Sequence, residues 1–233
     1  MNVHSPCSPV KNVYQLVQEQ KPERQKKMVA AQHERHGREA ILDAARTLFT
    51  GRGFHQTSVA ELASAAQVSI GQIYRMFKGK DEIIGAIVHA DFDGRLAQMA
   101  ALKSKLDEGH LSAHKLFEAL VSLALEEREE ALAFEIMAEG LRNSSVRGVI
   151  GDMCARYRAY IRDFACAANP NLSGEALDGA EEVILACLFG LSHRTLSQPR
   201  LNAERTAART ARMIMAGLAP TVQPQPSTAG RAA

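Results

Sequence analysis

Side chains able to make or break bonds are present in this chain but scattered. His110 and His114 stand four apart, yet the helix that would present both starts near Ser112, after the first of them. His89 and Asp93 are one turn apart and could ligate a metal ion, but a solvated helix face is the much better explanation; His33 and His36 adjoin a polar N-terminal stretch. GxSxG, P-loop and HExxH patterns are missing, as is a GxGxxG between a strand and a helix. These features point away from an enzyme and from a bound metal or cofactor. The denser chemistry lies at residues 57–80, TSVAELASAAQVSIGQIYRMFKGK, where Thr57, Ser58, Ser69, Gln72, Tyr74, Arg75 and Lys80 supply hydrogen-bond donors and positive charge.

The charge distribution agrees with that concentration. Residues 1–80 carry 12 Lys+Arg against 6 Asp+Glu, a balance of +6, and the remainder carry 16 against 20, a balance of −4. The first third suits a polyanion and the rest does not. The four cysteines, Cys7, Cys154, Cys166 and Cys187, form no CxxC, and three fall in helical patterns where a thiol acts as a small hydrophobe. With no apolar signal core and no run of about 20 apolar residues, this predicts a reduced, cytoplasmic protein without a membrane span.

The elements that must position residues 57–80 are helices. Ala-, Leu-, Glu- and Arg-rich stretches run long without proline, and β-branched runs bounded by turns are missing, so the fold class is all-α. Residues 1–31 lack an apolar stripe and predict a flexible tail, with a frayed helical extension near Glu23–Gln32 as the other reading. Ile41, Ala44, Ala45, Leu48 and Phe49 define a first firm helix over about His33–Arg52, closed by Gly51 and Gly53. Ser58 with Glu61, and Ser69 with Gln72, have capping-box spacing, so each opens a short helix. Val59, Leu62, Ala63 and Ala66 line the first of these, and Ile70, Ile73 and Phe77 the second. Small Ala63 and Ala66 permit close approach, Val68 anchors the turn, and Gln72, Arg75 and Met76 are placed on the outward face. Two short helices joined by a tight turn form a helix-turn-helix, whose second helix enters the major groove.

This stretch resembles the TetR family of transcriptional regulators from about Arg38 to Ile87. The shared pattern comprises Ile41-Leu42-x-Ala44-Ala45, Leu48-Phe49, Gly53-Phe54, Thr57-Ser58-Val59, Leu62-Ala63, Ala66, Val68-Ser69, Gly71, Ile73-Tyr74, Phe77 and Lys80. The resemblance implies that Thr57, at the start of the second helix, donates to a DNA phosphate, and that Tyr74 and Lys80 contact the backbone. It places Gln72 where bases are read, gives Arg75 a guanine or a phosphate, and sets Ser58, Ser69 and Gly71 close to the duplex. Met76 departs from the commoner polar or aromatic residue. Plainer readings stand beside these: Tyr74 packing in the small core, Lys80 as a solvated cation, and Gln72 bonding to Ser69.

Composition marks 1–31 as a flexible tail and 219–233 as a disordered one, and the resemblance divides the rest into a DNA-binding domain (32–80) and a helical ligand-binding and dimerisation domain (81–218), with about nine helices in all. Beyond the reading head, helices are expected near 80–107, 112–127, 129–142, 145–167, 174–196 and 202–218. The last two would pair with a second copy through Leu177, Ile184, Cys187, Leu188, Leu191, Ala211, Ile214, Met215 and Leu218; the plainer reading is that these close the chain's own core. An effector pocket would be lined by Phe92, Met99, Leu116, Phe117, Leu120, Phe134, Met137, Leu141, Cys154, Tyr157, Ile161 and His193, each of which is by type more often plain core than pocket wall. The implied function is a ligand-responsive, homodimeric regulator of a palindromic operator, released by a small hydrophobic effector. The alternative is a helical adaptor or small-molecule binding protein that does not bind DNA.

Overall fold

The computed structural model describes residues 13–126 and 130–220. Among these, nine α-helices and one 3₁₀ turn are present: α1 (Val13–Arg52), α2 (Val59–Ala65), α3 (Ile70–Met76), α4 (Lys80–Asp107), α5 (Ala113–Ala124), α6 (Glu130–Arg142), α7 (Ser144–Ala168), α8 (Gly174–Ser192), the 3₁₀ turn Arg194–Ser197, and α9 (Ala203–Leu218). The chain separates into two compact units, residues 1–83 and 84–233, and α4 runs unbroken through the division.

Local chemistry explains most helix starts. Ser58, Ser69, Ser112, Asn143 and Asn202 each turn a side-chain oxygen onto an otherwise unpaired first-turn amide, as at Asn202, whose Oδ1 accepts from Arg205 at 2.9 Å. Two departures from the sequence reading stand out. α1 begins at Val13, about twenty residues before His33, and continues through a stretch that periodicity assigns to a tail. Residues 28–36 are exposed on every side, so no buried face exists to generate a stripe. α8 ends at Ser192, and the expected continuation to 196 is replaced by the 3₁₀ turn. Residues 221–233, expected to be a disordered tail, lie outside the described residues.

The first unit has a small core of Ile41, Leu42, Ala45 and Phe49 from α1, Phe54, Leu62, Ala63 and Ala66 around α2, and Ile73 and Phe77 from α3. Phe49 and Phe54 meet edge to face with centroids 5.2 Å apart. The second unit is built around Met99, Leu116, Phe117, Leu120, Val121, Ile161, Phe164, Leu177, Ile184, Leu188, Ala207, Ala211, Ile214 and Leu218, with α5 laid along α9 and α7 along α8. Burying Phe164 alone stabilises this core by about 2–3 kcal/mol.

Polar ties set the ends of these helices. Asn169 is buried; its Nδ2 donates to the Leu218 carbonyl at 2.8 Å and its Oδ1 accepts from Asn171 N, which locks the end of α7 to the end of α9. Arg147 donates to the carbonyls of Gly140 (3.0 Å) and Leu141 (2.6 Å) and so closes α6 from α7. A Cβ on Gly140 would stand 2.6 Å from Ile150 Cδ1, so this glycine lets α6 and α7 approach.

Candidate nucleic-acid interface

α2 and α3 are seven residues each, too short to persist without tertiary support. Their caps and their turn hold them. Ser58 Oγ accepts from Glu61 N at 3.2 Å, and the Glu61 carboxylate accepts from Ser58 N at 2.8 Å. Glu61 also takes Arg52 at 2.6 Å. The bonds from Ser58, aided by Arg52, hold the Glu61 carboxyl below its ordinary value. The turn into α3 is a Schellman closure: Val68 N donates to Ala63 O at 3.0 Å and Gln67 N to Ser64 O at 3.2 Å. It places Gln67 at φ +55, a left-handed conformation glycine adopts more readily. Ser69 Oγ then accepts from Gln72 N at 3.1 Å and starts α3.

The outward side of α3 differs from the one expected. Ile73 is buried, and Gly71 and Arg75 stand exposed opposite it, with Ile70 (47 % exposed) and Tyr74 (56 % exposed) along one flank. Gln72 and Met76, expected at the centre of that side, are half-buried on the other flank and lean over Gly37 of α1. A Cβ on Gly37 would stand 3.0 Å from Gln72 Nε2 and 3.3 Å from Met76 Cε. The helix is rotated by about one residue because its core contacts are Ile73 and Phe77 together with this seam along α1. Tyr74 is not packed in the small core. Gly71 has no protein atom nearer than Ser69 Oγ, 4.0 Å from a Cβ built there. The fold itself has room for a side chain at 71.

Two residues expected at phosphates are turned inward. Thr57 is fully buried, and its Oγ1 donates to Gly53 O at 2.9 Å, so its hydroxyl proton is already engaged. Lys80 Nζ donates to Phe54 O and Thr57 O, each at 2.7 Å, and reaches His55 O at 3.4 Å, with the Phe54 ring centroid 4.7 Å away. An ammonium has three hydrogens, and three carbonyls surround this one. Lys80 is therefore neither a solvated cation nor available to a phosphate in this conformation. The partners lie 23–26 residues earlier, which no local spacing rule reveals. Ser58 and Ser69 stay exposed as caps, although the Ser58 hydroxyl also donates to Glu61.

The second unit sorts its expected residues differently. Of those assigned to pairing with a second copy, Leu177, Ile184, Leu188, Ala211, Ile214 and Leu218 belong to the chain's own core, Leu191 and Met215 pack half-buried against it, and Cys187 is half-buried. The stripe periodicity found is real, but it faces inward. The outward side of α8 carries Ala176, Gly179, Val183 (62 % exposed), Ala186, Phe189 (56 % exposed) and Gly190, and α9 turns out Met213 and Ala216.

Of the pocket candidates, Met99, Leu116, Phe117, Leu120 and Ile161 form the centre of the core, and Leu141 is 77 % exposed on the surface. Phe92, Met137, Cys154 and Tyr157 are half-buried; burial pushes the Cys154 thiol up, and nearby Arg158 only partly offsets it. Phe134 and His193 do meet, with ring centroids 4.7 Å apart, and Phe189 adds an edge-to-face contact at 5.2 Å. The Nδ1 of His193 is buried with no hydrogen-bond partner among the described residues. Sequence spacing did not find Phe189, which reads as one more apolar residue of α8.

Residues 41–87 match the sequence profile of the bacterial regulatory proteins of the tetR family. The HTH-type transcriptional regulator UidR of Escherichia coli K12 is 34 % identical over 114 residues, covering 48 % of this chain and 56 % of UidR, so the chain spans about half the length of the curated relatives it matches. Among solved structures, Salmonella enterica GusR superposes with a TM-score of 0.61 at 25 % identity over 78 % of this chain and 94 % of GusR. The transcriptional regulator FadR from Bacillus subtilis, determined in complex with stearoyl-CoA, shares the fold, with a TM-score of 0.61 at 19 % identity over 77 % of this chain and 98 % of its own.

Proposed function

We propose that this chain belongs to the tetR family of bacterial regulatory proteins and is a ligand-responsive DNA-binding transcriptional regulator. It acts as a repressor that leaves its operator when a small, largely apolar effector binds. The observation that carries this reading is the exposed side of α3, where Gly71, Tyr74 and Arg75 stand together on a helix held at both ends by backbone and cap bonds. A side-chain-free position between a phenol and a guanidinium suits close approach of the α3 backbone to a duplex. Arg75 reads a guanine edge or holds a phosphate, Tyr74 donates to a phosphate, and Gln72 reaches a base from its seat beside Gly37.

A homodimer supplies two such helices to successive major grooves about 34 Å apart, which makes the operator palindromic. The outward residues of α8 and α9 support that pairing better than the buried stripe: Ala176, Gly179, Ala186 and Gly190 let helices approach, and Val183, Phe189 and Met213 supply apolar area. For the effector, the arrangement that supports a site is Phe134, Phe189 and His193, two exposed rings against an imidazole whose buried Nδ1 lacks a partner among the described residues. An effector acts by unequal affinity for two conformations, and α4, continuous from Lys80 to Asp107, carries the difference toward the reading head.

The test is mobility shift on the DNA flanking the chain's own gene, titrated with salt. Binding should exceed that to a scrambled fragment and fall linearly in log–log form as salt rises. Equal binding to both fragments sinks the reading. Gln72→Ala should relax preference at one base pair, and Tyr74→Phe should weaken all sequences alike.

A further inference from the structure

We propose that Lys80 is a positioning residue for DNA recognition: its ammonium clasps the α1–α2 loop to the first turn of α4, so that α2, α3 and the start of α4 move as one body. The proposal rests on the regulator reading above and adds a joint to it.

The geometry begins with a charge in an unfavourable place. Lys80 is the first residue of α4, where the helix dipole favours anions, as Asp81 and Glu82 beside it illustrate. Three carbonyl oxygens, of Phe54, His55 and Thr57, together with the face of Phe54, offset that cost. The loop they belong to is itself fixed, since Gly53 takes φ +87 and Thr57 Oγ1 closes back onto Gly53 O.

Thr57 immediately precedes Ser58, the N-cap of α2, so holding the Thr57 carbonyl fixes the direction in which α2 starts. α3 follows α2 rigidly through the bonds of Val68 and Gln67. On the other side, Lys78 N donates to Glu82 at 2.6 Å and pins the link from α3 back to α4. A closed ring results: α4 to loop through Lys80, loop to α2, α2 to α3, and α3 to α4 through Lys78. A displacement of α4 therefore carries the reading helix with it, and Lys80 adds a polar strut to the small apolar core and the Lys78–Glu82 bond that otherwise hold α2 and α3 in place.

The test uses the purified full chain, a DNA fragment bearing its operator, and a scrambled fragment of equal length, each titrated across several salt concentrations. Lys80→Met keeps the stem and removes the donors. The ratio of operator to scrambled affinity should fall about tenfold, in keeping with the loss of charge-assisted hydrogen bonds, while the salt slope on both fragments stays as in the wild type. Arg75→Gln, which removes an outward cation, should make the slope shallower by about one. A slope shallower by about one in Lys80→Met, with both affinities lowered alike, would mean that the lysine holds a phosphate and would overturn the proposal. So would an unchanged ratio, the result expected if the lysine merely keeps more of the protein folded.

Hydrogen exchange on the free protein gives a readout that needs no DNA. Amides of residues 53–62 should exchange faster in Lys80→Met while those of α5–α9 do not change; no acceleration at 53–62 overturns the clasp. If those amides do accelerate but the wild type shows no operator preference, the regulator reading fails and the clasp stands.

Discussion

The outward sides of α3 and α8 make an instructive pair. Each helix has one side in its own unit's core and one side turned out, and in each the residues that looked most suited to an external partner by type are engaged internally. Around α3, Thr57 and Lys80 are held by carbonyls of the α1–α2 loop. On α8, Leu177, Ile184 and Leu188 are packed among Leu116, Phe117 and Ile214. The difference lies in the force involved. A hydrogen bond is directional and saturates, so three carbonyls around one ammonium leave that lysine no donor to offer elsewhere. Apolar packing neither saturates nor points, so the stripe on α8 could belong to a core or to a second copy until coordinates decide. The outside of both helices keeps small or solitary residues among its charged ones: Gly71 with Tyr74 and Arg75 on α3, and Ala176, Gly179, Ala186 and Gly190 with Val183 and Phe189 on α8.

The strongest way to break this comparison is to exchange inside for outside at neighbouring positions of α8. Ile184, 2 % exposed, should cost about 2–5 kcal/mol when cut to alanine, read as a lower unfolding midpoint at every protein concentration. Val183→Asp, at a 62 % exposed position, should leave that midpoint nearly unchanged for the monomer and shift sedimentation from the proposed dimer to monomer. If Val183→Asp unfolds the chain, or Ile184→Ala merely splits the dimer, the two sides of α8 have been assigned the wrong way round.

The polar counterpart on α8 is Glu181, buried at 6 % exposure between Arg158 and Arg162 of α7, with Asp178 on Arg162 at 2.6 Å. Burial alone would raise its carboxyl; the bonds from Arg162 and Arg158 outweigh burial and hold it below its ordinary value of 4.5. Because the folded value is depressed, the stabilisation is fully present above about pH 4.5 and is lost as pH falls through the folded value. Glu181→Gln should cost about 1.5–3 kcal/mol at neutral pH, toward the lower end because both guanidinium groups are partly exposed to solvent. It should also flatten the acid limb of the stability curve. A mutant whose acid limb matches the wild type would remove Glu181 from the acid response.

Next in size is Gly71→Ala. A Cβ there meets no protein atom within contact distance except Ser69 Oγ at 4.0 Å, so the unfolding midpoint should hold or rise slightly. Operator affinity should nevertheless fall about tenfold, through a lost close approach of backbone to phosphate. A drop in stability with unchanged binding would place the importance of Gly71 inside the fold.

These cases show where sequence was informative. Cap residues act within three positions, so Ser58 and Ser69 located the starts of α2 and α3 correctly. The long reach from Lys80 to the loop at 54–57 has no local signature, so the sequence offers that lysine only as a DNA-backbone contact or a solvated cation. The rotation of α3 was missed for a related reason: Gly37, whose bare backbone seats Gln72 and Met76, lies in a stretch of α1 with no apolar stripe to mark it as packed. The family resemblance and residue type put Phe117 and Phe134 together as pocket candidates, whereas Phe117 is wholly enclosed and Phe134 is 41 % exposed against His193.

The smallest expected effect sharpens the comparison at the turn that carries α3. Gln67 occupies the left-handed position of the Schellman closure, where a side chain is strained and glycine is not. Replacing it with glycine relieves that strain but gives the unfolded chain more freedom, and the two effects oppose. The first is the larger, so Gln67→Gly should stabilise the protein by about 0.5–1 kcal/mol, read as a higher denaturant midpoint with an unchanged slope. The side chain is exposed on the turn and is assigned no contact with DNA, so operator affinity and its salt slope should stay at wild-type values. Weaker operator binding by a stabilised Gln67→Gly would show that glutamine is kept there for the duplex, and would extend the DNA-facing side of α3 back into its turn.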